Sequence, residues 1–458
     1  MIFNLDLFLY VAFALVSSVQ AVVVSRSPYA ITNKTLVLYD DNLEEQSFSS
    51  QYSSFLKLIE SNGFEAVVKQ ADSSADITLF DRFGNRLYDN VLVFPAKARS
   101  LSKSINQGIL EQFAKKGGNF LFVSSNKGTQ TDSSLFLNQL GIYPSPKKYK
   151  FIDYHNANTE QSLVDSIQKP IFLNDVIVPI DVEVDQLAYK DGSVSILNNN
   201  EFLIPLLKAS DSSVTYDIDR GYISSESTWH SGSQGFLMAG SQALNNARTL
   251  WIGSESILSN SDINEQLVDS LLKWVFQIDG IIKAEFFNHT KVDREGNELN
   301  VTRNDKSLAE NGPDYKVKDF CKFEIGISQW NGHQWVPYNS SDVQLEFSML
   351  DPYYRLTLDF QEVREAAVYG TIFQIPDQHG MFTFRVDYKR PGLSFIDEST
   401  VVPVRHLAND EYPRSWEITN SWVYVTSFFA VVAAWLLFVF FYILSANKPV
   451  ESQEKKNN

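Results

Sequence analysis

Apolar residues follow three rhythms along this chain. Between about 30 and 145, unbroken apolar runs at 35–40 (TLVLYD), 64–68, 90–95 (NVLVFP) and 119–123 (NFLFV) are separated by stretches in which hydrophobic residues recur every three or four positions. Tyr52, Phe55, Leu56 and Ile59 form one such set, and Ile105, Ile109, Leu110 and Phe113 another. Strands without polar alternation are buried on both faces, the pattern of a parallel sheet covered by amphipathic helices. Asn62-Gly63 and Gly117-Gly118 supply the helix stops. A doubly wound α/β domain over 22–145 is the expectation.

The next stretch, 146–285, is mixed α/β. It predicts a strand at 175–184, a strand at 235–239 (GFLMA), a polar helix over 242–248, a strand at 249–253 and a helix at 268–276. Residues 286–309 are polar and read as a linker. From 310 to 410 the period becomes two: Val343, Leu345, Phe347 and Met349 alternate with Gln344, Glu346 and Ser348, and Phe382, Phe384, Val386 and Tyr388 with Thr383, Arg385 and Asp387. Turns at Asp351-Pro352, 377–380 and 390–392 break these strands, so a β-sandwich is expected.

The two ends break every rhythm. Residues 422–444 (WVYVTSFFAVVAAWLLFVFFYIL) contain no charge. As a helix they reach ~34 Å, enough for a hydrocarbon core of ~30 Å. At the other end, 7–16 (LFLYVAFALV) is too short to span and is followed by Val19-Gln20-Ala21, a pattern that signal peptidase accepts, so 1–21 reads as a cleaved signal peptide. The expected topology is single-pass type I, with the bulk of the chain lumenal and 445–458 cytosolic. Lys455 and Lys456, third and fourth from the terminus, then form a dilysine signal through which coat proteins return membrane proteins to the endoplasmic reticulum.

With the tail's three Lys and two Glu set aside, 36 basic residues face 53 acidic ones, which argues against nucleic acid and anionic lipid surfaces as partners. The single cysteine, Cys321, cannot form an internal disulfide; its alternation with Phe323, Ile325 and Ile327 places it on the inward face of a strand. Four sequons, Asn33, Asn288, Asn300 and Asn339, are N-glycosylation candidates, with Asn288 and Asn300 in the linker. No dinucleotide, P-loop or nucleophile-elbow motif follows a strand. Asp40-Asp41 can bind a cation or sugar hydroxyls, or cap the following loop and helix. Asp217-x-Asp219 has the form of a metal-holding pair, but such pairs are common in an acidic chain. The six histidines show no ligand spacing, so no catalytic, cofactor or metal site is assembled. In the span, Trp435 lies near the bilayer centre, and with Thr426-Ser427 and Ala433-Ala434 offers a helix-packing face toward another subunit or toward lipid.

Several long blocks carry a resemblance. Residues 242–248 (QALNNAR) followed by 251–254 (WIGS), 335–338 (WVPY) followed by 342–353 (DVQLEFSMLDPY), 36–41 (LVLYDD) and Phe382-x-Phe384-x-Val386-Asp387-Tyr388 resemble the non-catalytic, wheat-germ-agglutinin-binding-type subunit of the eukaryotic oligosaccharyltransferase complex, the DDOST family. The resemblance implies an accessory subunit in the endoplasmic reticulum membrane. A separate multi-spanning catalytic subunit of that complex transfers a preassembled oligosaccharide from dolichyl diphosphate to Asn of Asn-x-Ser/Thr; the implied neighbours are a ribophorin II-type and a defender-against-death-type subunit. It also implies a glutamine-amidotransferase-like N-terminal fold lacking the nucleophilic cysteine. A lumenal lectin-like module that stacks the lipid-linked glycan on some of the chain's 61 aromatic residues is the competing expectation.

Overall fold

The computed structural model describes residues 26–40, 43–72, 76–96, 100–126, 129–153, 155, 164–220, 223–299, 315–409, 411–412 and 420–446. The expected signal peptide at 1–21, Asn300, Asp41, Lys455 and Lys456 lie outside the described residues.

The apolar runs form strands β1 (Lys34–Asp40), β2 (Glu65–Ala71), β3 (Asn90–Val93) and β4 (Asn119–Val123). The next ten are β5 (Ile142–Pro144), β6 (Tyr149–Asp153), β7 (Ser166–Gln168), β8 (Gln186–Ala188), β9 (Ser195–Leu197), β10 (Leu203–Lys208), β11 (Ser213–Asp217), β12 (Thr228–Ser231), β13 (Phe236–Gln242) and β14 (Arg248–Ile252). One sheet runs β2-β1-β3-β4-β14-β13-β9-β5, with β10 paired to β13. Its first five strands are parallel, and β13 turns the direction.

Alternate residues of the parallel strands face opposite layers. Val37, Leu92, Leu121 and Leu250 join the core of helices α1 (Glu45–Gln51), α2 (Ser53–Ser61) and, late in sequence, α5 (Glu265–Val275). Leu38, Val91, Phe120 and Trp251 join that of α3 (Gln107–Lys115) and α4 (Thr131–Leu140). The unit is thus doubly wound. Its α3 stop works as the glycines suggested: Gly117 has φ +83°, and a Cβ on Gly118 would lie 2.1 Å from the Phe113 ring.

Three sequence expectations between 145 and 248 are corrected. No break falls at 145, because β13 and β14 from the supposed middle region complete the first sheet, and the core under α1, α2 and α5 draws residues from Val37 through Ile278. Residues 242–248 form no helix: Gln242 and Arg248 pair at the ends of β13 and β14, and 243–247 are the hairpin turn between them, in which Ala243 N–H bonds Ala247 O at 2.9 Å and Asn246 takes φ +64°, a conformation that Asn tolerates. Residues 175–184 form turns, since the Asn174 side chain accepts the amides of Val176 and Ile177 and Pro179 interrupts any ladder; their apolar pattern reflects burial of Ile177 and Val178.

Ten further strands form two packed sheets: β15 (Ile282–Val292), β17 (Phe320–Trp330), β22 (Ala367–Gln374), β21 (Asp359–Val363) and β18 (Trp335–Pro337) against β16 (Tyr315–Lys316), β24 (Ile396–Arg405), β23 (Gly380–Tyr388), β19 (Gln344–Ser348) and β20 (Pro352–Thr357). Inward residues of both sheets share one core containing Cys321, Phe323, Leu345, Phe347, Phe382 and Phe384. The linker reading of 286–309 fails over 286–292, which belong to β15 and pair with β17. The polar look of β15 arises because Glu285 and Asn288 face solvent and a bulge at Ala284/Phe286 shifts the alternation. A helix of high mean hydropathy, α6 (Ser421–Ala446), follows; within it 421–445 is the candidate membrane span among the described residues.

Candidate functional site

The carboxyl ends of parallel strands are where an α/β sheet would present chemistry. Among the described residues, the ends of β3 and β4 are occupied by the protein's own hydrogen bonds. Ser124, at the end of β4, is buried, and its hydroxyl accepts the indole N–H of Trp251 at 2.8 Å. Asn126 donates to Asp191 at 2.8 Å, and Gln130 donates to the Phe94 carbonyl at 3.1 Å.

Elsewhere the fold brings a serine to a histidine. Ser213 Oγ lies 3.4 Å from His230 Nε2, yet that hydroxyl donates to Ser210 O at 2.6 Å. The nearby carboxylate of Asp153 accepts from the hydroxyls of Ser210 (2.5 Å) and Ser212 (2.7 Å), and His230 Nδ1 has no partner. Burial lowers His230 to about 4, so the ring is neutral at pH 7. A buried base with no orienting acid and a hydroxyl already committed do not make a nucleophile. Asp219 of the Asp-x-Asp element is paired with Lys148 at 2.5 Å, and no group of three metal-binding side chains occurs among the described residues.

The polar block 242–248 instead builds a junction, which sequence reasoning missed because the partner loop lies about 150 positions away. Asn245 donates to the carbonyls of Ala114 and Lys115 (2.8 and 2.9 Å), capping α3. Arg248 is buried and donates to the carbonyls of Trp274 (2.7 Å), Asp279 (2.6 Å) and Gly280 (2.7 Å), at the end of α5, where cations suit the helix dipole. Burial brings Arg248 down to about 9, still cationic at neutral pH. The loop joining β23 to β24 meets the same groups: Gln242 donates to Leu393 O (2.7 Å), Trp274 Nε1 to Gly392 O (2.9 Å), and Phe395 N–H to Asn246 Oδ1 (2.8 Å). Gly280 (φ +71°) permits the approach, since a Cβ there would stand 2.5 Å from Gly392 O. The α/β unit and the sandwich are thus latched by directed hydrogen bonds rather than joined by a free tether.

Asn33, Asn288 and Asn339 are exposed. Cys321 is fully buried, as its strand alternation implied, 3.2 Å from Tyr315 Oη, which in turn lies 3.0 Å from His289 Nδ1. Burial pushes the thiol up to about 12, so it is an inert hydrophobe. In α6, Trp435 is exposed, and the hydroxyls of Thr426 and Ser427 fold back on the Val423 carbonyl at 3.0 and 2.7 Å.

Comparison with known proteins gives matches that cover both units. The family model "OST48, N-terminal domain" matches residues 27–278 and "OST48 middle domain" matches 301–446. The chain is 38% identical to the dolichyl-diphosphooligosaccharide–protein glycosyltransferase subunit WBP1 of Saccharomyces cerevisiae, over 93% of this chain and 95% of that protein. It is 28% identical to the 48 kDa subunit of the same transferase from Danio rerio, over 89% and 90% of the two chains. Among solved structures, the mmIFT52 N-terminal domain (TM-score 0.37, 14% identity) and a ThuA-like protein from Parabacteroides merdae (TM-score 0.29, 12% identity) each cover 53% of this chain, and 97% and 89% of their own. The extent and identity of these sequence matches show that the chain belongs to the OST48 family of oligosaccharyltransferase subunits.

Proposed function

We propose that this chain is an accessory, non-catalytic subunit of the oligosaccharyltransferase complex, which moves a preassembled oligosaccharide from dolichyl diphosphate to Asn of Asn-x-Ser/Thr. It holds partner subunits or substrate in place while the multi-spanning subunit performs the transfer. One observation carries this reading: the polar side chains of the block 242–248 are spent on helix caps and on the interdomain latch. A scaffold needs rigid relative placement of its surfaces, and the latch supplies it.

The rest of the reading follows from the chain ends and the family. The body is lumenal behind a cleaved leader, and α6 spans the endoplasmic reticulum membrane once. Lys455 and Lys456 engage coat proteins, while ribophorin II-type and defender-against-death-type subunits are the neighbours in the membrane. The N-terminal unit is a glutamine-amidotransferase-like sheet in which Ser124, hydrogen-bonded to Trp251, closes the strand end instead of offering a nucleophile.

Purification of the full chain through an internal tag, in mild detergent, tests the assignment. The multi-spanning transferase subunit is expected among the associated membrane proteins. Recovery of the chain free of other membrane proteins, or with an unrelated complex, would overturn it.

A further inference from the structure

The outer face of one sheet of the sandwich is polarised along its strands, and its exposed apolar residues sit at the end from which the chain leaves for α6. Arg405, the last residue of β24, donates to Glu411 through two nitrogens at 2.7 and 3.0 Å; the Ala408 amide adds a bond of 2.9 Å, and Lys316 stands 3.5 Å away. These partners hold the Glu411 carboxyl well below its usual range, with the Arg405 hydrogen bonds the chief cause. The chain is therefore clamped to the sandwich as far as Glu411, and α6 begins ten residues later, at Ser421. Ten residues reach at most ~35 Å, so this end of the sandwich stays within that distance of the start of α6.

The strand register identifies what lies at that end. Val404 pairs with Gly380 and Pro403 with Met381, and a Cβ on Gly380 would sit 2.8 Å from the Met349 sulfur. The β19–β20 turn thus lies beside the exit. It presents Leu350, 93% exposed, while Met381 and Val401 on the outer face of the adjoining strands are 56% and 54% exposed. Tyr353 on the same hairpin is also exposed. Further along that outer face the surface becomes ionic: Arg385 bonds Asp397 at 2.9 and 3.0 Å, and Arg355 bonds Glu346 at 3.1 Å. Single exposed apolar residues need no explanation, but a cluster confined to one end of a strand face, with charges on the remainder, does.

We infer that this end of the sandwich rests on the bilayer that α6 enters, with Leu350 at the tip of the β19–β20 turn in the boundary between headgroups and acyl chains. Tyr353, apolar in body and polar at its tip, suits headgroup depth. His379, His406 and the exposed Lys318–Asp377 pair at the same end limit the insertion to the interface. The contact would fix the tilt of the latched body over the membrane. It rests on α6 being in the bilayer, whichever side the body occupies.

Depth-dependent quenching tests it. Leu350→Cys, Met381→Cys, Asp397→Cys and Phe438→Cys, each labelled with an environment-sensitive fluorophore, would be compared in the full chain in phosphatidylcholine nanodiscs carrying a nitroxide near the headgroup. Cys321 is buried and stays unlabelled. Quenching at 350 and 381 is expected to exceed that at 397 by about twofold or more, as for groups seated ~5–10 Å into the boundary. Quenching at 350 no greater than at 397 overturns the inference, whether iodide reaches the probe, marking open solvent, or fails to reach it, marking a covering protein. Position 438 distinguishes the causes: no quenching there removes the anchor itself, and the inference with it.

Discussion

The indole N–H of Trp274, in the last turn of α5, donates to the Gly392 carbonyl at 2.9 Å, so a core residue of the α/β unit is bonded directly to a loop of the sandwich. Arg248 stacks on the same ring with its guanidinium carbon 5.2 Å from the centroid, while binding three carbonyls beneath it. Removing that guanidinium strands buried acceptors, each of which costs about 1–3 kcal/mol when left unpaired. Arg248→Met is expected to lower stability by about 3 kcal/mol or more, measured by urea unfolding of the protein. Arg248→Lys should recover little of it, because a single ammonium cannot match the fork. A loss below about 1 kcal/mol would mean that water replaces Arg248.

The latch itself predicts a separable effect. Trp274→Phe removes the N–H to Gly392 together with part of a fully buried ring, so global stability should fall by about 2–3 kcal/mol. The 390–395 loop, by contrast, should become markedly faster in amide exchange. Unchanged exchange in that loop would show that the two units are held by other contacts.

Acid should weaken the fold through His230. Its pKa falls from an unfolded value near 6.5 to about 4 in the folded chain, so the unfolded state binds the extra proton between those limits. The stability held above pH 6.5 is lost as pH drops toward 4, by at most about 3 kcal/mol. His230→Leu should remove that part of the slope, read as the difference between the two unfolding profiles from pH 7 to pH 4.

The thiol of Cys321 titrates in the opposite sense. A folded pKa of about 12 stands above the unfolded value near 8.5, so its contribution is complete below pH 8.5 and fades as pH rises toward 12. At pH 8, maleimide should modify Cys321 at a rate set by unfolding, and denaturant should make the reaction immediate. Rapid modification of the native chain would contradict burial behind Tyr315.

Topology has its own readout. Asn33, Asn288 and Asn339 are exposed, and endoglycosidase should reveal a mobility shift that shrinks with each Asn→Gln change. Lys455→Ser with Lys456→Ser should allow Golgi trimming of those glycans. Resistance to trimming in the double variant would leave residence to the partners rather than to the tail.

Much of the core was legible in the sequence because burial on both faces leaves runs such as Leu36-Val37-Leu38 with no polar alternation, and because Phe382-x-Phe384-x-Val386 alternates strictly on a half-buried sheet. What was hidden depended on distant partners. The Ala-Leu-Asn-Asn-Ala turn has helix-like composition, yet Asn245 and Asn246 serve backbone groups of α3 and of the 390–395 loop. Strand β15 was masked by its own exposed polar residues and a bulge. The boundary at 145 was misread because β14 enters beside β4 only after more than a hundred intervening residues, a pairing to which local periodicity is blind.

An oligosaccharide-transfer assay tests the accessory role most directly, with lipid-linked donor and an Asn-x-Thr acceptor peptide supplied to the purified chain alone and to the complex recovered with it. Transfer is expected from the complex only, with the chain alone at background. Turnover by the chain alone would contradict a non-catalytic role.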